Sequence, residues 1–368
     1  MKFGILGSGS WGTALAKILT DNGNAINWWI RSETAIQCIQ SRHHNPQYLP
    51  SAHFDVEKLT LNTSAATVIE HSEIIIIAVP SAYIAEALQK LDKNIFEGKK
   101  IISAIKGILP NQNVLLNHYL EREFGLDAQS YFAVLGPCHA EEVAAEKLSY
   151  LTFSGKDESE TAAMAECFKT DYINTITNND IDGVQYAAVL KNIYAVGAGM
   201  AHGLDYGDNF LSVLIANSAD EMAGFLRKLG VKNIQVGSID HHHQPTSNLQ
   251  PPTSSLQPPT SSLQPPTSSL QPPTNYAASV YLGDLLVTCY SLHSRNRSFG
   301  NMIGKGYSVQ AAQLEMNMVA EGFNASKCMY IINENIKAEM PIAETIYKIL
   351  WLGMQVKEAF KLMETVLV

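Results

Sequence analysis

Residues 4–19 read GILGSGSWGTALAKIL. A short apolar run through Leu6 meets Gly7, Gly9 and Gly12, and a segment with apolar residues at helical spacing follows. The glycines fit the pattern G-x-G-x-x-G between a strand and a helix, where each has a physical task. Gly7 permits a tight turn, Gly9 lets the main chain approach a pyrophosphate, and Gly12 lets the helix pack closely. The helix N-terminus then presents unpaired N–H groups to the anion. A dinucleotide site at the head of an α/β chain is the expectation.

The surrounding sequence extends that reading. KFGIL, AINWWI, EIIIIAVP, KKIISAI and YFAVLG are short, β-branched and apolar, as buried strands are, and helical stretches such as SAYIAEALQKL separate them. Alternation of this kind predicts a Rossmann-like, doubly wound, mostly parallel sheet over residues 1–180. Beyond about residue 180 the strand signals fade, and long apolar-periodic segments predict a mainly α-helical domain over 181–368. A Pro/Ser/Thr/Gln-rich insertion at about 241–275, with LQPPTSS written out repeatedly over 249–274, interrupts it. Closing a longer loop costs only about 0.6 kcal/mol per doubling, so this insertion is expected to be external and dispensable.

Composition narrows the function classes. The 368 residues are 46% hydrophobic and 17% charged, with a net charge of −9, which speaks against a disordered or nucleic-acid-binding chain. The five cysteines are scattered without a C-x-x-C pair, as in a reduced cytoplasmic protein. No signal peptide and no membrane span is expected. His241, His242 and His243 are consecutive and cannot all face one ion in regular structure, so no metal is expected either.

Several polar residues stand where chemistry is expected. At the end of the second strand, where an acid would favour the ribose of NAD, the chain offers Arg31, which admits NADPH as well as NADH. Lys106 follows the strand IISAI at the carboxyl edge of the sheet. Lys191 lies within the apolar run AAVLKNIYAVGAG, beside Asn192. A buried ammonium can stabilise the charge that hydride transfer leaves on a ketone oxygen and can donate the proton. Asp284 and Thr288 are four apart and share a helical face, while SRNR (Ser294, Arg295, Asn296, Arg297), followed by Phe-Gly, reads as a turn gathering cations and amides around a phosphate.

With these residues assembled, the chain resembles the NAD(P)-dependent glycerol-3-phosphate dehydrogenase family of bacterial type. The resemblance rests on GSGSWGTALA, AVPS, AIKG, GPCHAEEVA, VLKNIYAVGAGM, LGDLLVTC, SRNRSFG, VAEG and MPIAETIYKIL, all in the family's order. It implies reduction of dihydroxyacetone phosphate to sn-glycerol 3-phosphate for phospholipid synthesis, by a homodimer using NADPH or NADH. It also implies that Ser10, Trp11, Arg31, Ala140 and Glu321 contact cofactor, and that Lys106, Gly136, Cys138, Asp284, Ser294, Arg295 and Asn296 hold substrate. Lys106 and Arg295 would lie near the cofactor as well, and Lys191 would accept the proton in oxidation and donate it in reduction. Asn192 and Thr288 join the substrate set as neighbours of these groups.

The chain departs from the family pattern in three places. Cys138 replaces the usual Ser or Thr, Leu211 and Asn217 stand where basic residues are common, and the proline repeat falls between Lys191 and Asp284. Two other readings remain: a related dehydrogenase for a hydroxy acid without phosphate, and a nucleotide sensor that kept the fold and lost catalysis.

Overall fold

The computed structural model describes residues 1–231, 280–316 and 320–368. The LQPPTSS repeat and the three consecutive histidines lie outside the described residues. The strands are β1 (Phe3–Leu6), β2 (Ile26–Trp29), β3 (Leu59–Asn62), β4 (Ile74–Ile77), β5 (Lys100–Ser103), β6 (Tyr131–Leu135), β7 (Ser149–Gly155) and β8 (Ile173–Asn178). Helices α1 (Ser10–Asp21), α2 (Glu33–Arg42), α3 (Ala65–Glu70), α4 (Ser81–Leu88), α5 (Leu116–Phe124), α6 (Ala140–Ala144) and α7 (Glu158–Glu166) alternate with them. The remaining helices are α8 (Ile181–Gly203), α9 (Asp208–Lys228), α10 (Leu282–Tyr290), α11 (Arg295–Gly304), α12 (Val309–Glu315), α13 (Glu321–Ile336), α14 (Pro341–Leu352) and α15 (Val356–Met363).

The strands form one sheet in the order β3-β2-β1-β4-β5-β6-β7-β8, parallel throughout except between β6 and β7. Strand order reverses between β1 and β4, so the loop after β1 opens at a topological switch point, where open α/β sheets bind ligands. Five strands follow the sequence reading, whereas β3, β7 and β8 do not announce themselves. LTLN in β3 and INTITN in β8 lie at the two edges of the sheet and are half polar, so neither carries a buried apolar run.

Both faces of the sheet are covered, and β4 shows how. Ile74 and Ile76 join one apolar cluster with α1, α2 and α6, while Ile75 and Ile77 join the other, which continues into the helical half. Each isoleucine is fully or almost fully buried, worth about 1.5–3 kcal/mol apiece. The second face is therefore covered by α3, α4, α5 and α8, and α8 carries Lys191 and Asn192.

The axle of the helical half is α8, buried continuously from Ala187 to Ala201 and packed against α9, α10, α11, α13 and α14. A helix apolar on all sides must lie at the centre of its domain. Its crossing with α11 depends on glycine. A Cβ on Gly199 or Gly203 would strike the α11 main chain, and one on Gly300 or Gly304 would strike that of α8.

This contact corrects the reading of SRNRSFG as a turn. Ser294 is the N-cap of α11, its Oγ accepting from the Arg297 N–H at 3.3 Å, and Arg295 and Asn296 form the first helical turn. Gly300 is there for the close approach of Val196, not to break the chain. At the family departures, Leu211 is buried, and Asn217 donates to the Val368 carbonyl at 2.8 Å. Among the described residues no helix is long and apolar enough to cross a membrane.

Candidate active site

A cleft of about 1190 Å³ runs between the carboxyl edge of the sheet and the helical half. Its first wall is the glycine loop. Gly7 has φ +115° and approaches the Ala78 carbonyl, so a side chain there would be strained as well as obstructed. A Cβ on Gly12 would run into the Gly7 carbonyl, which makes this glycine a packing residue beneath the cleft. Gly9, in contrast, faces open space. No side chain caps α1, so its N-terminal turn stays available to an anion. These features fit the pyrophosphate of a dinucleotide.

Two buried side chains hold that loop in place. Trp28 Nε1 donates to the Gly7 carbonyl at 2.9 Å, and Asn45 Nδ2 donates to the Ser8 carbonyl at 3.0 Å and to Thr13 Oγ1 at 2.9 Å. The Asn45 Oδ1 accepts from the Gln47 and Tyr48 N–H groups. Glycine loop and the segment lining the far end of the cleft thus become one unit. Arg31, just past β2, lines the same end.

The other end of the cleft is built by side chains. Lys106 Nζ sits over the Trp11 ring, 4.8 Å from its centroid, which gives the ammonium a favourable partner. Asn192 fixes the adjacent main chain, its Nδ2 donating to the Lys106 carbonyl at 2.8 Å. Its Oδ1 accepts from Asn296 Nδ2 at 2.9 Å, and Asn296 Oδ1 accepts from the Gly322 N–H at 2.9 Å. Sheet edge, α8, α11 and α13 are joined by this one chain of amides.

Lys191 and Asp284 form an ion pair, with residue exposures of only 3% and 1%. Breaking such a buried pair costs about 3–5 kcal/mol, because the charge left behind has no compensation. Burial pushes the Lys191 ammonium down to about 8; Asp284 opposes that fall and Lys106 adds to it. An ammonium poised there surrenders its proton far more readily than an ordinary lysine. Asp284 itself lies behind Lys191, and its Oδ2 is buried without a hydrogen-bond partner. Thr288, one turn on, donates back to the Asp284 carbonyl at 2.6 Å.

Ser294, Arg295 and Asn296 bring the N-terminus of α11 to the cleft, a place suited to an anion. On the opposite side Glu321 reaches across to α4, its Oε1 accepting from the Ser81 N–H at 3.1 Å and its Oε2 from the Ser81 hydroxyl at 2.5 Å. Removal from water raises this carboxyl above its usual range. Ala140 opens α6 at the edge of the same cleft.

Most of the residues singled out from the sequence therefore meet in one cleft. Gly12, Gly136 and Asp284 stand behind its lining. Gly136 has φ +136° at the end of β6, and a Cβ there would press on the Tyr150 carbonyl at 2.6 Å. Among the described residues no cluster of His, Cys, Asp and Glu could hold a metal ion.

The chain matches the family model described as NAD-dependent glycerol-3-phosphate dehydrogenase N-terminus over residues 2–161, and that described as its C-terminus over 180–239 and 267–361. The chain belongs to the NAD-dependent glycerol-3-phosphate dehydrogenase family.

Relatives within the family agree along the whole length. Glycerol-3-phosphate dehydrogenase (NAD(P)+) of Bacillus subtilis is 32% identical over 359 residues, spanning 97% of this chain and 92% of the relative. The same enzyme of Enterococcus faecalis is 30% identical, spanning 98% and 94%. A crystal structure of glycerol-3-phosphate dehydrogenase from Coxiella burnetii shares the fold, with a TM-score of 0.81, 24% identity and 98% coverage of both chains.

In this member of the family, Cys138 is buried and its thiol is pushed up to about 12 by burial, so it stays neutral. Trp28, Asn45, Ser81 and His139 are the residues sequence reasoning missed. AVPS and GPCHAEEVA contain two of them, but a motif does not say which atoms its residues will meet.

Proposed function

We propose that the protein reduces dihydroxyacetone phosphate at C2 to sn-glycerol 3-phosphate, reversibly, with NADH or NADPH as reductant. Residues 1–180 hold the cofactor, and 181–368 supply the groups that bind and protonate the substrate. The observation that carries this reading is the buried Lys191–Asp284 pair, set between the glycine loop and the N-terminus of α11.

Gly9, Ser10, Trp11 and Ala140 would hold the dinucleotide through main chain and close packing, with Arg31 on the side of its adenosine and Glu321 toward the other end of the cleft. When bound, the nicotinamide supplies the hydride to the carbonyl carbon. Every other step falls to side chains. Arg295 and the first turn of α11, capped by Ser294, take the phosphate, since a guanidinium fork and a helix N-terminus both favour that anion. Lys106 adds a positive charge beside the reacting centre.

Lys191 gives its proton to the carbonyl oxygen as the negative charge develops there, and takes it back when the alcohol is oxidised. Asp284 keeps it charged until that moment. Asn192 and Asn296 set the distance between Lys106 and the phosphate end. Cys138 offers only a weak thiol donor where a hydroxyl would serve better. A phosphate-free hydroxy acid would make no use of the N-terminus of α11 as an anion site.

The product is consumed in glycerophospholipid synthesis, and the working form is a cytoplasmic homodimer. Purified protein supplied with dihydroxyacetone phosphate oxidises NADPH or NADH, followed by the loss of reduced-nicotinamide absorbance. Absence of turnover with both cofactors would refute the proposal.

A further inference from the structure

One group at the catalytic end has no part in the steps above. His139 precedes α6 as its N-cap residue, yet its side chain makes no cap hydrogen bond. The ring lines the cleft instead, and its Nε2 is shielded from solvent without any hydrogen-bond partner. The Val287 carbonyl favours a proton on the ring, and with Nε2 unpaired that proton is assigned to Nδ1. A neutral imidazole has one donor and one acceptor, so Nε2 is left as a buried acceptor.

Leaving such an atom unpaired is costly, and native proteins rarely do so without a reason. The neighbouring cations do not relieve it. The Lys191 ammonium is committed to Asp284, and that of Lys106 rests on the Trp11 ring. The charges that act most on the ring are Lys106, Lys191 and Asp284, which are the groups around the reacting carbon, and His293 flanks it at 6.2 Å between ring centroids. Burial and the two lysines hold the imidazole down to about 4, although Asp284 and the Val287 carbonyl oppose them. At neutral pH it therefore neither competes with Lys191 as an acid nor offers charge to a phosphate.

An uncharged acceptor in this place requires a donor from the ligand. A phosphate dianion has none, and the ketone oxygen has none. Within the substrate, the terminal hydroxyl of dihydroxyacetone phosphate, on the carbon beyond the carbonyl from the phosphate, is the donor, and the test below separates it from the amide and hydroxyl donors of the cofactor. We propose that His139 is a specificity-determining residue whose Nε2 accepts a hydrogen bond from that hydroxyl. The inference rests on the function proposed above, and it assigns to this side chain the distinction between a substrate with the hydroxyl and one with a methyl group.

The test compares dihydroxyacetone phosphate with hydroxyacetone phosphate, which lacks only the terminal hydroxyl, using the full chain. In His139→Phe, kcat/KM for dihydroxyacetone phosphate is expected to fall roughly 10- to 100-fold, while that for hydroxyacetone phosphate stays within about twofold. His139→Gln, which keeps an acceptor, recovers part of the discrimination. Titration with NADPH reports whether each variant is folded, and the glutamine variant keeps the test alive if the phenylalanine variant is not. Equal losses with both substrates would place His139 at the carbonyl or the cofactor and overturn the proposal. Unchanged discrimination would overturn it too. Failure of the wild-type protein to reduce either compound would instead remove the reading on which it rests.

Discussion

The two walls of the cleft are made by different means. The cofactor wall is main chain: the turn at Gly7, the open face of Gly9 and the uncapped start of α1. Two side chains, Trp28 from behind and Asn45 from within the lining, hold its loop carbonyls. The substrate wall is side chain: Lys106, Lys191 and Arg295, with Asp284 behind Lys191, come from four separate segments. Binding a pyrophosphate needs only N–H groups and room, whereas moving a proton needs one group of tuned acidity. The two walls should therefore fail separately.

The largest separation is expected at Lys191. Replacement by alanine removes the proton donor and should lower kcat by about 10²–10⁴-fold, with NADPH affinity retained in a fluorescence titration. A variant with near-normal turnover would remove Lys191 from its role. The converse experiment is smaller. Arg31→Ala should raise KM for NADPH about tenfold, the loss of one charge-assisted hydrogen bond, and leave kcat and the KM for NADH nearly unchanged. Equal effects on both cofactors would show that Arg31 meets something other than the 2′-phosphate.

The same contrast explains what could be read without a structure. Gly7, Gly9 and Gly12 are legible because their task depends on local backbone geometry. Lys191 is legible because a cation in an apolar run is conspicuous. Residues whose meaning lies in a distant partner are not. Trp28 meets Gly7 across 21 positions of chain, and Ser81 meets Glu321 across 240. Phe299-Gly300 looks like punctuation, but the glycine serves a helix crossing that only the folded chain creates. The strands at the edges of the sheet were hidden for a related reason, since a half-exposed strand carries little apolar signal. His139 stands in a recognisable motif, yet its unpaired nitrogen is a property of everything around it.

The account turns on Lys191 as an acid held down to about 8 by burial, and the pH dependence of kcat/KM in the two directions tests it most directly. Reduction needs the ammonium and should decline as pH rises through about 8, while oxidation needs the free amine and should decline as pH falls through the same value. Mirror-image profiles that share one midpoint are the predicted result. Profiles that run in the same sense, or a reduction limb that stays flat up to the range of an ordinary lysine, would contradict it.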